Sequence, residues 1–247
     1  MSGGILQLTL RNDTHKYSPS KGTITGLVPG RPVWVRMWYP WDSFSDTGSV
    51  ALTSRAPDED SAWSWTAADG NGIFTVSGGN GYAQISQADA GGKPHLEYLR
   101  FGDTDVSIAS TVYRRNTTKK GGLLFRFVDT SNYAYMRIAH VDNSNATFEV
   151  RKCVAGAHSQ VAISGSTPWP VDTARLVVVH LHGSNVRVML QANEVLETTL
   201  DDAAVNGGTK HGLYQDTGLE ATNPYRWLDF GGYRSLFYGR LSKIIPL

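Results

Sequence analysis

The chain has 247 residues, of which 40% are apolar and 18% charged, and its formal net charge is +1. Such a length holds one large β domain or two smaller ones and buries roughly three-quarters of its unfolded surface. A charge this close to zero supplies no field for nucleic acid or an anionic membrane. The single cysteine, Cys153, excludes an internal disulfide, and without Cys/His spacing there is no zinc motif.

Residues 5 to 10 alternate, with Leu6, Leu8 and Leu10 on one side, and read as a strand. Arg11 to Gly30 is punctuated by Pro19, Gly22, Gly26 and Pro29 and reads as a long loop. Arg31 to Pro40 is β-prone and flanked by prolines, while Asp46 to Asp60 has no periodicity and reads as loop. From Ser61 onward the spacing predicts strands at Trp63–Ala67, Ile73–Ser77, Tyr82–Ser86, Val106–Arg114, Leu123–Asp129 and Tyr133–Val141. Six more follow at Thr147–Cys153, Gln160–Ile163, Arg175–Leu181, Asn185–Leu190, Lys210–Gln215 and Tyr225–Phe230. Helical periodicity is nearly absent, with one turn expected within Glu194 to Ala204. Short strands at this spacing, with 26 glycines to supply turns, predict an all-β antiparallel sandwich or barrel. No run is long enough for a membrane-spanning helix, and the start lacks the basic and apolar regions of a secretory signal. Synthesis and folding in a cytoplasm are therefore expected.

The most informative stretch is Gly121 to His140. Leu123, Phe125 and Phe127 alternate with Leu124, Arg126 and Val128. After the turn-forming Asp129-Thr-Ser-Asn132, Ala134, Met136 and Ile138 alternate with Tyr133, Tyr135 and Arg137. This predicts a hairpin with one apolar face toward the core and a face of Arg126, Tyr133, Tyr135 and Arg137 toward solvent.

The order of signals from Trp41 to Gly232 resembles the laminin-G, concanavalin-like jelly-roll family. The resemblance is carried by Gly122-Leu-Leu-Phe-Arg-Phe-Val-Asp-Thr-Ser-Asn-Tyr133, Phe148-Glu-Val-Arg151, Ala174 to Val188, His211-Gly-Leu-Tyr214 and Leu228-Asp-Phe230. Where that family turns through Asn-Gly, this chain has Asn193-Glu194, which predicts a wider turn or a register shift. The flanks, Leu8 to Pro19, Gly30-Arg-Pro-Val-Trp-Val-Arg36 and Leu236-Phe-Tyr-Gly-Arg-Leu241, resemble minor tail proteins of phages that infect actinobacteria. The two resemblances together imply a jelly-roll module at 42–232 inserted in a small split β domain made of 1–41 and 233–247. They also imply a virion tail component made in the host cytoplasm, with other tail proteins as partners and a homo-oligomeric state.

The candidate chemistry is sparse. Jelly-roll glycosidases set alternating carboxylates on one strand; here Asp58-Glu-Asp60 is the nearest cluster and has no strand register. A solvated charge run is the plainer account of it. His180 and His182 share a strand face, but no third metal ligand accompanies them. No nucleophile elbow, P-loop or dinucleotide fingerprint occurs, so no cofactor is expected. The jelly-roll resemblance admits a structural Ca²⁺ at Asp229, with Asp42 or Asp46 as partner. What is left is the outer face of the hairpin: Arg126, Tyr133, Tyr135 and Arg137, joined by Glu149 and Arg151 from a neighbouring strand. Rings that stack on sugar C–H faces beside charged groups that take hydroxyls would bind glycan; an ordinary solvated sheet face is the other account. The expected function is non-enzymatic, a tail protein that displays a carbohydrate-binding-like module toward the host surface. The alternatives are a jelly-roll glycoside hydrolase acting on bacterial surface glycan and a purely structural spacer.

Overall fold

The computed structural model describes residues 32–38, 41–58, 63–68, 74–77, 79–85, 93–115, 119–216 and 225–240, with the side chains of 32–38 and 234–240 excepted. The predicted strand at residues 5 to 10 and the loop that follows it lie outside the described residues. The chain divides into two compact units, residues 1–35 with 236–247, and residues 36–235. The first lies almost wholly outside the described residues; the second carries everything that follows.

In chain order the strands begin with β1 (Pro32–Trp38), β2 (Val50–Ala51), β3 (Thr66–Ala67), β4 (Phe74–Val76), β5 (Ala83–Ile85) and β6 (His95–Arg100). The central set is β7 (Ser107–Arg114), β8 (Gly121–Asp129), β9 (Asn132–His140), β10 (Asn145–Val154), β11 (Ala157–Ile163) and β12 (Thr167–Pro168). The last are β13 (Thr173–His182), β14 (Asn185–Leu190), β15 (Asn193–Thr199), β16 (Lys210–Gln215), β17 (Arg226–Trp227) and β18 (Gly231–Arg240). One helical turn, α1 (Ala203–Asn206), is capped by the Asp202 carboxylate, which accepts from the Ala204 amide.

Two antiparallel sheets result, so the chain is an all-β jelly-roll sandwich. The back sheet runs β15-β14-β13-β7-β17-β5-β4-β2. The first residues of β18 pair with β7, and β1 pairs with β18. The front sheet runs β11-β10-β9-β8-β16-β6-β3, with β12 beside β10. Between the sheets lies one apolar core that includes Phe125, Met136, Ile138, Phe148, Val177, Val179, Leu181 and Trp227. The inward phase of Val177, Val179 and Leu181 matches the sequence alternation. The start and end of the sandwich meet in an isolated bridge, where Asp42 and Phe230 exchange backbone hydrogen bonds of 2.8 Å.

Several expectations need correction. β6 and β15 were not among the predicted strands. His95–Arg100 is buried on both faces over most of its length and so has no alternation to read. Within Glu194 to Ala204 the chain is mostly strand, with its helical turn only at the end. The stretch read as loop from Asp46 contains β2 and a short 3-10 turn. The turn after β14 is not widened: Leu190 pairs with Asn193 across Gln191 and Ala192, and Gln191 takes the left-handed φ of 58°. The register does shift, between Val188 and Met189.

Candidate functional site

The hairpin β8–β9 forms as its alternation predicts up to Phe125, with Leu123 opposite Met136 and Phe125 opposite Ala134. The register then shifts. Arg126 adopts a φ of 50°, a left-handed conformation that a bulge exploits and a regular strand does not. The extra residue reverses the alternation: Leu123 and Phe125 belong to the main core, while Leu124 and Phe127 lie in a second apolar cluster on the opposite face of the front sheet. Arg126, expected on the ligand face, is buried instead. Its Nη1 donates to Asn206 Oδ1 at 2.9 Å and its Nη2 to the carbonyl of Gly183, so it ties the bulge to α1 and to the β13–β14 turn.

The other five candidates do come together. Tyr133, Tyr135, Arg137, Glu149 and Arg151 share the far face of β9 and β10, where Arg137 stands opposite Glu149 and Tyr135 opposite Arg151. The two tyrosines are not the exposed rings expected from alternation; they are 2% and 1% exposed. They belong to a run of aromatic contacts across the sheet. Tyr98 stacks on Phe127 at 4.8 Å, Phe127 meets Tyr133 at 6.1 Å, Tyr133 meets Tyr135 at 5.7 Å, and Tyr135 stacks on Tyr214 at 4.1 Å. His158, from β11, lies edge-on to both Tyr133 and Tyr135. Cys153 is buried in this same cluster.

Above the aromatic floor is a charged network. Glu149 Oε1 accepts from Lys120 at 3.0 Å, and its Oε2 takes Arg137 Nε at 3.0 Å and Arg151 Nη1 at 3.1 Å. Arg137 Nη1 also donates to both carboxylate oxygens of Asp216 at 3.2 Å, and Tyr214 donates its hydroxyl hydrogen to Asp216 Oδ1 at 2.5 Å. Arg151 Nε donates to the Tyr135 hydroxyl at 3.2 Å, which stands 3.0 Å from His158 Nδ1. Burial raises the pKa of Glu149, but the Lys120 hydrogen bond and the Arg137 charge outweigh it, so the carboxyl is held below its ordinary value.

Two adjoining hollows open here. One of about 240 Å³ is lined by Pro94, Tyr135, Arg137, Arg151, His158, Tyr214 and Asp216. The other, of about 200 Å³, includes Leu96, Ser131, Tyr133, Cys153 and Gly156. Pro94 and His158 line both. Sequence reading missed His158, Tyr214 and Asp216. Tyr214 was legible in principle, since it alternates out of phase with the core residue Leu213. His158 reaches the site from the edge strand β11 and leaves no pattern.

The expected calcium residues do not form a site. Asp42 Oδ1 accepts from the Phe44 amide at 3.0 Å and Arg55 Nη1 at 2.5 Å, and its Oδ2 accepts from Trp65 Nε1 at 2.8 Å. The same guanidinium pairs with Asp46 at 2.6 Å and Asp58 at 2.7 Å, standing where a cation would. Asp229 is engaged elsewhere, by the amide and hydroxyl of Thr111. The residues therefore do not fit the ion: the Asp42 and Asp229 oxygens accept from protein donors, and Asp46 is ion-paired to Arg55. Among the described residues no group of three or more His, Cys, Asp or Glu is placed to hold a metal. His180 Nδ1 lies 2.6 Å from Ser107 Oγ, and the exposed His182 is paired with Asp105 at 3.3 Å.

No protein-family model matches the chain, and no curated protein matches it. Solved structures match in fold. β-Agarase A, solved in complex with oligoagarose, is 12% identical with a TM-score of 0.56, over 83% of this chain and 94% of that one. The CBM2 module of the evolved Dit protein of Lactobacillus casei BL23 phage J-1 is 10% identical with a TM-score of 0.50, over 83% and 98%. The laminarinase of Rhodothermus marinus is 12% identical with a TM-score of 0.50, over 83% and 99%. The likeness is one of fold. Jelly-roll sandwiches of this kind thus serve both as glycan-cleaving enzymes and as a phage-borne carbohydrate-binding module.

Proposed function

We propose that the chain is a non-enzymatic glycan-binding component of a phage tail, which presents the front-sheet hollows to the host surface. The observation that carries this reading is the hollow itself: an aromatic floor, Arg137, Arg151 and His158 around it, and Asp216 at its margin, all on one sheet face. Hydroxyl-rich ligands are read by such convergent charged donors and acceptors. The tail assignment draws on the flank resemblance and on a fold shared with the phage J-1 module. The pairing of β1 with β18 supports a small domain split between the chain ends as the part that attaches to other tail proteins, as a homo-oligomer in the virion.

The absence of turnover is part of the proposal. A glycosidase needs one protonated carboxyl beside one ionised carboxylate. Glu149 and Asp216, the carboxylates of this face among the described residues, are both ion-paired to the single guanidinium of Arg137, and Glu149 is held below its ordinary value, not raised as a general acid requires. Glu97, the buried acid on β6, is in phase with the core residue Leu99 and not with Leu96 and Tyr98 of the outer cluster. Binding of the whole chain to host cell walls, with and without Arg137→Met, tests the reading. Retention should be lost in the variant, and arabinogalactan, peptidoglycan and β-glucans should yield no reducing ends. Turnover, or wall binding indifferent to Arg137, would overturn it.

A further inference from the structure

The ligand class of this hollow follows from what its residues have already spent. The ring faces are not available: Tyr135 and Tyr214 cover each other at 4.1 Å, and Tyr133 is closed in by Phe127, Tyr135 and His158. A neutral sugar that binds by laying its C–H face on an aromatic ring therefore finds no platform here. The charged groups are unequal. Among the described residues, Lys120, Arg137 and Arg151 face Glu149 and Asp216, three cations against two carboxylates.

Both carboxylates are saturated, Glu149 by all three cations and Asp216 by Arg137 and the Tyr214 hydroxyl. Arg137 has committed Nε, Nη1 and Nη2 to them. Arg151 has committed Nε to Tyr135 and Nη1 to Glu149, which leaves Nη2 as the guanidinium donor not spent on the protein, in a residue that lines the hollow. A guanidinium edge with an unspent donor at a site with a surplus cation is suited to an oxyanion.

Resting on the glycan-binding reading above, we infer that the site selects an acidic glycan, with the carboxylate or phosphate of one sugar residue against Arg151 and the adjoining residue in the hollow beside Tyr133. Each hollow, at about 200 to 240 Å³, is smaller than the ~300–1,000 Å³ usual for a small-molecule pocket. One small unit per hollow is the natural occupancy. The shared wall of Pro94 and His158 makes the two hollows neighbours, as two consecutive residues of one chain require.

Isothermal titration of the whole chain with trigalacturonate, a short poly(glycerol phosphate) and neutral galactotriose tests this. The acidic probes should bind about tenfold or more tightly than the neutral one, the scale of one added charge-assisted hydrogen bond. Added salt should weaken the acidic probes alone. A preference for trigalacturonate assigns the carboxylate, and one for the glycerol phosphate assigns the phosphate. Arg151→Gln should abolish the preference while the fold, followed by circular dichroism, stays native, because Glu149 keeps Lys120 and Arg137 and the face holds together. His158→Ala, at an exposed edge-strand position, should weaken all three probes by opening the wall between the hollows. Equal binding of acidic and neutral probes, or a preference that survives Arg151→Gln, overturns the charge selection and leaves glycan binding standing. Failure of every probe to bind overturns both.

Discussion

Tyr135 and Tyr214 stack at 4.1 Å with 17° between their ring planes, although a whole strand, β8, lies between them. The residue of β8 directly opposite Tyr214 is Gly122, and the residue opposite Tyr135 is Leu124. With no side chain at 122, the two rings meet over the intervening strand. This contact closes the floor of the hollow and orients both phenol oxygens toward charged partners.

Gly122→Ala should therefore damage the module. A Cβ at this position would come within 1.9 Å of the Met136 carbonyl oxygen, a backbone atom held by the β8–β9 ladder. Overpacking of this kind costs about 1–3 kcal/mol and more where backbone must move. Urea denaturation should show the loss, with the near-ultraviolet tyrosine signal reduced as the stack separates.

Tyr135→Ala should cost about 3–5 kcal/mol of stability, because a buried ring leaves a cavity. The alternation alone implied an exposed ring and a small effect. Tyr135→Phe keeps the stack but removes the oxygen that accepts from Arg151 and stands by His158. It should cost only about 0.5–1.5 kcal/mol in stability while weakening glycan binding, which separates the floor's packing role from its polar one. Phe125→Ala, on the core side, should cost about 3–5 kcal/mol without a specific effect on binding.

Arg55→Ala should cost about 3–5 kcal/mol, since it leaves the buried Asp42 carboxylate without its cation. Calcium should not raise the melting temperature of the native chain, nor chelator lower it, because Arg55 already occupies the position between Asp42, Asp46 and Asp58. Differential scanning calorimetry in calcium and in EDTA checks both statements.

Stability should depend on pH through two buried groups of opposite sign. Burial pushes Glu97 up to about 8, against the hydrogen bond from the Phe74 amide. The folded chain thus holds a proton that the unfolded chain releases, and stability falls as pH rises from about 4.5 to 8. Burial pulls His211 down to about 4, so the unfolded chain takes up a proton first and stability falls as pH drops from about 6.5 to 4. The two slopes oppose each other below pH 6.5. Between 6.5 and 8 the Glu97 slope is not offset by His211 and is on the order of 1.4 kcal/mol per pH unit. Melting temperatures from pH 6.5 to 8 should fall in the native chain and much less in Glu97→Gln. An equal fall in both would remove Glu97 as the cause.

The sequence by itself determined the all-β class, most strand positions and the inward phase of Leu123, Phe125, Met136 and Val177, because a buried sheet face imposes a period of two. It also placed Tyr133, Tyr135, Arg137, Glu149 and Arg151 on one face. Only the tertiary structure decided the rest. The bulge at Arg126 arises where the pairing of β8 with β9 and β16 changes register, and nothing in a period-two pattern marks the residue at which it breaks. Alternation assigns a side chain to a face but cannot say what packs over that face. His158 from an edge strand and Tyr214 from across β8 turned an expected row of exposed tyrosines into a buried floor beneath a charged hollow. Likewise, Asp42 and Asp46 look like partners for an ion in one dimension. It took the fold to bring Arg55 among them.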